Sequence, residues 1–218
     1  MMAEKLSQRV IADAALAAID ADGIDALSMR KLAQSLGVSA MSLYTYFPDK
    51  DALLDGVAQL LYAEMETPPE DIHWRDAMRF IMRSVREVGI RHRNAARLIQ
   101  RFPPHTPDAL AFVEAGFRSF HRAGFDPLST ARCYRALAAY SLGTLDVELE
   151  GYFSPDARTI TPDARDSIDA ASADKLLPLV TAITPTLAQQ DDAAEFEYGL
   201  ELLLDGFADA MTRAGRTV

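Results

Sequence analysis

Between Leu27 and Pro48 the apolar spacing and the chain breakers leave room for little besides two short helices joined by a tight turn. Leu27, Leu32 and Leu36 are spaced to face one core, and Ser28 stands where a hydroxyl caps a helix start. Gly37 ends that helix by supplying a backbone conformation that side chains resist, and Val38 turns back inward. Ser39 caps a second helix, Ala40 to Phe47, which stops at Pro48 because proline fixes φ and lacks an amide donor. Ala33 is small enough to let the two helices approach, while Val38 and Leu43 clamp them from inside. Helix, glycine turn and short polar helix make a helix-turn-helix.

The rest of the chain also reads as helix, since apolar residues recur at three and four positions and no convincing alternation marks a strand. Val10, Ile11, Ala14, Ala15, Ala18 and Ile19 form the inner face of a helix from Ser7, closed by Gly23. Beyond Pro48, Asp49 and Asp51 favour a new N-terminus, and Leu53, Leu54, Val57, Leu60 and Leu61 give a longer connecting helix its buried stripe. Thr67-Pro68-Pro69 is the strongest boundary, because consecutive prolines cannot continue a helix. The expected fold is therefore all-α, with residues 1–66 as a helix-turn-helix domain plus connecting helix and residues 67–218 as a larger helical domain. In the latter, helices are expected near Trp74 to Arg91, Asn94 to Arg101, Pro107 to Ala123, Pro127 to Tyr152 and Ala193 to Arg213. Ser154 to Lys175 mixes Pro, Ser, Thr and Asp and is expected to be a mobile connection.

Left facing outward by the helix-turn-helix are Ala40, Met41, Ser42, Tyr44 and Thr45. A DNA major groove about 12 Å wide admits a helix of this thickness. Ser42 and Thr45 can exchange hydrogen bonds with base edges or phosphates, Ala40 and Met41 can pack on thymine methyls, and the Tyr44 hydroxyl can bond a phosphate. Arg30 is the best candidate for a guanine contact, and Lys50, at the next helix start, for a phosphate. The bland alternative is an ordinary three-helix subdomain with Tyr44, Tyr46 and Phe47 as core aromatics. Tyr46 and Phe47 fit it, whereas docking geometry favours DNA for Tyr44. A net charge of -10 opposes nucleic-acid binding, yet between Ser28 and Lys50 three cations, Arg30, Lys31 and Lys50, face only Asp49.

Leu27-Ser28-Met29-Arg30-Lys31-Leu32-Ala33, Leu36-Gly37-Val38-Ser39 and Leu43-Tyr44-Thr45-Tyr46-Phe47-Pro48-Asp49-Lys50-Asp51-Ala52-Leu53-Leu54 together resemble the N-terminal domain of the TetR family of bacterial regulators. The resemblance implies a homodimer with one reading head per subunit and an all-helical ligand-binding domain. It further implies repression at a palindromic double-stranded DNA operator, relieved by a small-molecule inducer. It carries Arg30, Ser42, Tyr44 and Lys50 onto DNA-contacting positions; Ala40 and Met41 also fall there but cannot form the hydrogen bonds some relatives make. More loosely, His92-Arg93-Asn94-Ala95-Ala96-Arg97, Gly124-Phe125 and Leu142-Gly143 are similar to the tetracycline-repressor branch. Where that branch holds a magnesium-drug chelate with a histidine and a carboxylate, ungapped alignment puts Ile99 and Val147, so no metal or cofactor is expected.

For a ligand pocket between the C-terminal helices the candidates are Trp74, Arg97, Phe102, Phe117, His121, Tyr134 and Tyr140, each of which also reads as plain core or surface. For the dimer interface, Phe196, Leu200, Leu203 and Phe207, continued by Met211, form one apolar stripe and Leu137, Ser141, Leu142 and Leu145 another. Two such helices per subunit would build a four-helix contact, with Ala138, Ala139 and Gly143 permitting close approach. The alternative is that one stripe closes the protomer core. Ligand binding would shift the spacing of two heads, which must lie about 34–36 Å apart to enter successive major grooves.

Enzymatic activity is the rival class and lacks a metal-ligand spacing, a glycine-rich phosphate loop or a recognisable nucleophile motif. His73, His92, His105 and His121 are scattered, and Cys133, the only cysteine, reads as buried packing. A helical partner-binding module that has lost DNA binding is a third reading. One cysteine, no signal-peptide pattern and no apolar run near the roughly 20 residues of a membrane span point to a soluble cytoplasmic protein.

Overall fold

The computed structural model describes residues 6–153, 178–187, 189 and 191–213, and among them no strand occurs. The chain forms α1 (Gln8–Asp22), a 3-10 turn (Ile24–Ala26), α2 (Met29–Ser35), α3 (Ala40–Tyr44) and α4 (Lys50–Glu64). There follow α5 (Trp74–Arg91), α6 (Arg97–Arg101), α7 (Pro107–Arg122), α8 (Pro127–Glu150), α9 (Pro178–Leu187) and α10 (Asp192–Arg213). The expected connection at 154–175 lies outside the described residues.

Helix starts in the N-terminal part are fixed by side chains. The hydroxyls of Ser7, Ser28 and Ser39 each accept the amide three residues on at 3.2 Å, and Asp49 Oδ1 accepts Ala52 N–H at 2.8 Å. Each bond satisfies a donor that a helix cannot satisfy internally, typically adding about 1 kcal/mol. In α7 and α8 proline occupies the first turn behind the capping Thr106 and Asp126, and Gly151 ends α8 in the left-handed conformation at φ 62°.

Helix α3 ends at Tyr44, short of the expected Phe47, with residues 45–46 in a turn, and two further elements depart from expectation. Residues 92–96 form turns and α6 begins only at Arg97. The reason is tertiary: Asn94 Nδ2 donates to the Asp20 carbonyl at 3.0 Å and His92 is tied to α1 and α4, which holds this stretch off a regular spiral. Helix α9 was not foreseen, because Val180, Thr181, Ile183, Thr184 and an internal Pro185 are weak helix formers.

One apolar core runs through the described molecule. Helix α4 packs against α1 on one side and α6 and α7 on the other, while α5 is flanked by α7 and α8, and α10 lies along α8. A ladder of arginines one helical turn apart fixes α10 on α5: Arg75 to Asp205 at 2.6 Å, Arg79 to Glu201 at 2.5 Å and Arg83 to Glu197 at 2.7 Å. The steps descend along α10 as they ascend α5, so they set an antiparallel register. Being partly exposed, such pairs contribute at most about 1 kcal/mol each. Arg86 makes a bidentate pair with Glu148 at 2.9 and 2.6 Å and joins α5 to α8.

The two stripes expected at a dimer interface also contribute to the protomer's own core. Leu137, Ser141, Leu145, Phe196 and Leu200 are buried within the protomer, and Leu142, Leu203 and Phe207 pack against the same core. Both stripes close the α5–α8–α10 layer, because an apolar face on a helix has the same period whether its partner is its own chain or another. The outward faces of α8 and α10 present Ala139, Gly143, Tyr198, Leu202 and Gly206.

Gly89 marks the tightest approach of α5 to α8. A Cβ there would stand 3.1 Å from Leu145 Cγ and 2.9 Å from its Cδ1, closer still to Cδ2, and Leu145 is itself buried. Gly89→Ala is expected to lower unfolding stability by roughly 1–3 kcal/mol in urea titration at fixed protein concentration, and a wild-type midpoint would contradict this packing.

Candidate DNA-reading head and effector cavity

The reading head is built from its core outward. Leu32, Ala33 and Leu43 are buried, and Gly37 takes φ 68°, the left-handed value that lets Val38 N–H reach Ala33 O at 3.0 Å. Phe47 lies in the core against Gly56 of α4, where a Cβ would come within 2.8 Å of the ring. Tyr46 is half-buried, its hydroxyl donating to the Leu6 carbonyl at 3.0 Å, so both aromatics belong to the scaffold.

On the outer face the side chains divide. Met41 is 76% exposed and Tyr44 46%, with Thr45 and Arg30 exposed beside them. Lys31, left out of the site on sequence grounds, is exposed next to Arg30, and neither forms an ion pair among the described residues. Ala40 is half-buried against the core, and Ser42 Oγ shares a hydrogen with Ser39 Oγ at 2.8 Å. Thr45 donates its hydroxyl to Met41 O at 3.3 Å and keeps its lone pairs. Lys50 is no free surface charge: its Nζ donates to the Ile24 carbonyl at 3.0 Å, leaving two N–H groups for another acceptor.

Beyond the head, helices α4 to α8 line a partly open cavity of about 100 Å³. Among the seven expected pocket residues the structure puts Tyr134 on its wall and the others elsewhere. Trp74 is buried in an aromatic cluster with Phe120 and Phe125, ring centroids 5.9 and 5.1 Å away. Arg97 is held on the surface by Asp146 at 3.0 Å and Glu150 at 2.7 Å. Phe102 lies under the Arg101 guanidinium, Phe117 is exposed with its ring edge-on to Tyr134, and His121 is exposed near the end of α7. Tyr140 donates to the Phe196 carbonyl at 2.7 Å and fastens α8 to α10. Trp74, Arg97, Phe102, Phe117 and Tyr140 each have a partner that sequence spacing does not reveal.

The wall is apolar, with Met65, Met78, Met82, Phe112 and Phe120 prominent, and its polar members are Tyr62, Tyr134 and Ser141. Burial, aided by the neighbouring Tyr134, pushes the Tyr62 phenol up to about 12, and burial raises Tyr134 too, so both remain neutral hydrogen-bond donors. Tyr62 uses its proton on the Ile99 carbonyl of α6 at 3.0 Å.

Tyr62 also lies on the helix that carries Lys50, so the cavity wall and the reading head share one rod. Further contacts tie that rod to its surroundings. His92 places Nδ1 2.7 Å from Asp20 on α1 and Nε2 3.0 Å from Glu64 at the end of α4. Gln59, buried on α4, donates to the Pro103 carbonyl at 3.1 Å and accepts from His105 N–H at 3.0 Å. Sequence reasoning missed this clasp; a glutamine inside the apolar stripe of α4 was the one available signal.

Two family models match the chain: bacterial regulatory proteins of the tetR family over residues 11–57, and the tetracyclin repressor-like C-terminal domain over residues 67–211. Tetracycline repressor protein class A from transposon 1721 of Escherichia coli is 30% identical over 207 residues, 94% of this chain and 91% of that protein. An HTH-type transcriptional regulator of Saccharopolyspora erythraea is 32% identical across 93% of this chain and 85% of its own length. The crystal structure of the Streptomyces coelicolor TetR family protein ActR in complex with (S)-DNPA superposes with a TM-score of 0.77 at 26% identity, covering 95% of this chain and 99% of that one. With an exposed reading helix and an apolar cavity joined by α4, the chain belongs to the TetR family of ligand-responsive transcription regulators.

Proposed function

We propose that the chain acts as a homodimeric repressor that leaves a palindromic operator when a small molecule enters the α4–α8 cavity. The observation that carries this reading is the double role of α4, which starts at Lys50 beside the reading helix and contributes Tyr62 to the cavity wall. Residues 1–66 serve as the DNA-binding unit and residues 67–218 as the sensing and dimerising unit. Arg30 reads a base edge, Tyr44 and Thr45 approach bases or phosphates, Met41 and Ala40 pack on thymine methyls, and Ser42 and Lys50 act close to the backbone. Lys31 adds a phosphate contact.

Because the chain carries a net charge of -10, binding rests on this small cationic patch and weakens steeply with salt. The partner subunit seats on the outward faces of α8 and α10, around Gly143, Tyr198, Leu202 and Gly206. No atom stands within 4 Å of a Cβ built on either glycine, which leaves space for a second backbone to come close.

No chemistry is assigned to the chain. The Cys133 thiol, pushed up to about 11 by burial and by Asp126, stays protonated near neutral pH and offers no thiolate nucleophile. No helix among the described residues is long and apolar enough to cross a membrane, in keeping with a cytoplasmic regulator.

Two measurements test the reading. Arg30→Ala is expected to weaken binding to a duplex selected by the wild-type protein from a random pool by about 1–3 kcal/mol and to relax base preference at one position per half-site. Retained selectivity would remove Arg30 from base reading, and no selection of any duplex would remove DNA binding altogether. Leu202→Arg is expected to yield a folded monomer in sedimentation that binds operator weakly. A stable Leu202→Arg dimer would place the interface elsewhere.

A further inference from the structure

The cavity is unusual in what its wall lacks. Among the described residues, none that lines it is Asp, Glu, His, Lys or Arg, and no group of histidines, cysteines or carboxylates is able to hold a metal ion. A charged ligand entering it would leave its hydration shell without gaining a counter-ion, a cost that an apolar wall cannot offset. The wall does hold one unsatisfied demand. Ser141 is 2% exposed and its Oγ has no hydrogen-bond partner among the described residues, although a serine within a helix can ordinarily bond to the carbonyl four residues back. Leaving such an atom unpaired is costly, and native structures rarely do so without a reason.

Tyr62 is already engaged with Ile99, so Ser141 and Tyr134 are the polar groups left for a ligand. They stand two turns apart on one face of α8. Around them Met65, Met78 and Met82 offer flexible, polarisable contacts that suit the face or edge of an aromatic ring, and Phe112 and Phe120 add ring surface. At about 100 Å³ the cavity is somewhat smaller than the roughly 150 Å³ apolar cavity known to take up benzene. A single ring therefore approaches its capacity, and a larger molecule must displace the methionines.

Resting on the repressor reading above, we propose that the effector is an uncharged, largely apolar ring compound bound without a metal, anchored by a hydroxyl or carbonyl that pairs with Ser141 Oγ. Ser141 is thus a specificity residue. Its contribution discriminates between ligands of equal size and adds nothing to the stability of the empty protein.

The test uses the full chain and three small probes of similar size, namely phenol, toluene and benzoate, titrated by calorimetry with and without magnesium. Wild type is expected to bind phenol and toluene but not benzoate, with magnesium making no difference. In Ser141→Ala, phenol affinity falls about fivefold to tenfold while toluene affinity stays within about twofold, the signature of one lost hydrogen bond. The thermal midpoint of the unliganded variant does not fall, since no bond is removed from the empty protein. Equal changes for phenol and toluene, binding of benzoate, a requirement for magnesium, or no binding of either neutral probe would each overturn the proposal. Operator binding by the unliganded protein, measured alongside, fails only if the repressor reading itself is wrong.

Discussion

Burial of α4 on two sides is the constraint from which most of the molecule follows. Leu53, Leu54, Val57, Ala58, Leu60 and Leu61 leave almost no surface to water, because α1 covers one flank and α6 and α7 cover the other. A helix enclosed in this way cannot tilt without opening one of its contacts. Close-packed interiors resist continuous deformation and pass displacement on to their neighbours. Movement at the Tyr62 end is therefore felt at the Lys50 end, whose ammonium is pinned to the Ile24 carbonyl of the reading head. The clasp of His92 on Asp20 and Glu64 bridges the same two regions by a second route.

Such an arrangement explains how an acidic chain can serve an anionic partner. Carboxylates of α10 and α8 are spent on arginines of α5, where they fix helix register, and Asp51 and Asp55 on α4 pair with Arg101 and His105. Arg30 and Lys31 are left without such partners among the described residues. What governs DNA approach is the local field of this patch more than the sum over the chain.

Capping chemistry made the head readable in advance. Ser28, Ser39 and Asp49 announce their helices, Gly37 announces the turn, and the structure realises each with a hydrogen bond or a dihedral. The long helices were legible for the same reason, with Pro107 and Pro127 as markers. Legibility failed where a residue's role depends on a partner far along the chain. Ser141 and Leu137 carry the period of an interface helix, but whether that face meets α5 or a second copy is decided by the whole bundle. The cavity was hidden more completely, since it is the space several helices jointly fail to fill. Tyr134 was found through its aromaticity, whereas Trp74, Arg97 and Tyr140 had the same apparent credentials and turned out to hold the scaffold together.

The central claim is that occupying the cavity moves the reading head through α4, and it can be tested without knowing the ligand. Ala138, on the cavity wall, can be replaced by phenylalanine so that the protein fills its own pocket. The decisive quantity is operator affinity of Ala138→Phe by fluorescence anisotropy, with cooperative thermal unfolding confirming that the fold survives. The account predicts affinity reduced by about tenfold, within the usual range of coupling between two sites. Wild-type affinity in a folded protein whose cavity is demonstrably filled would contradict it.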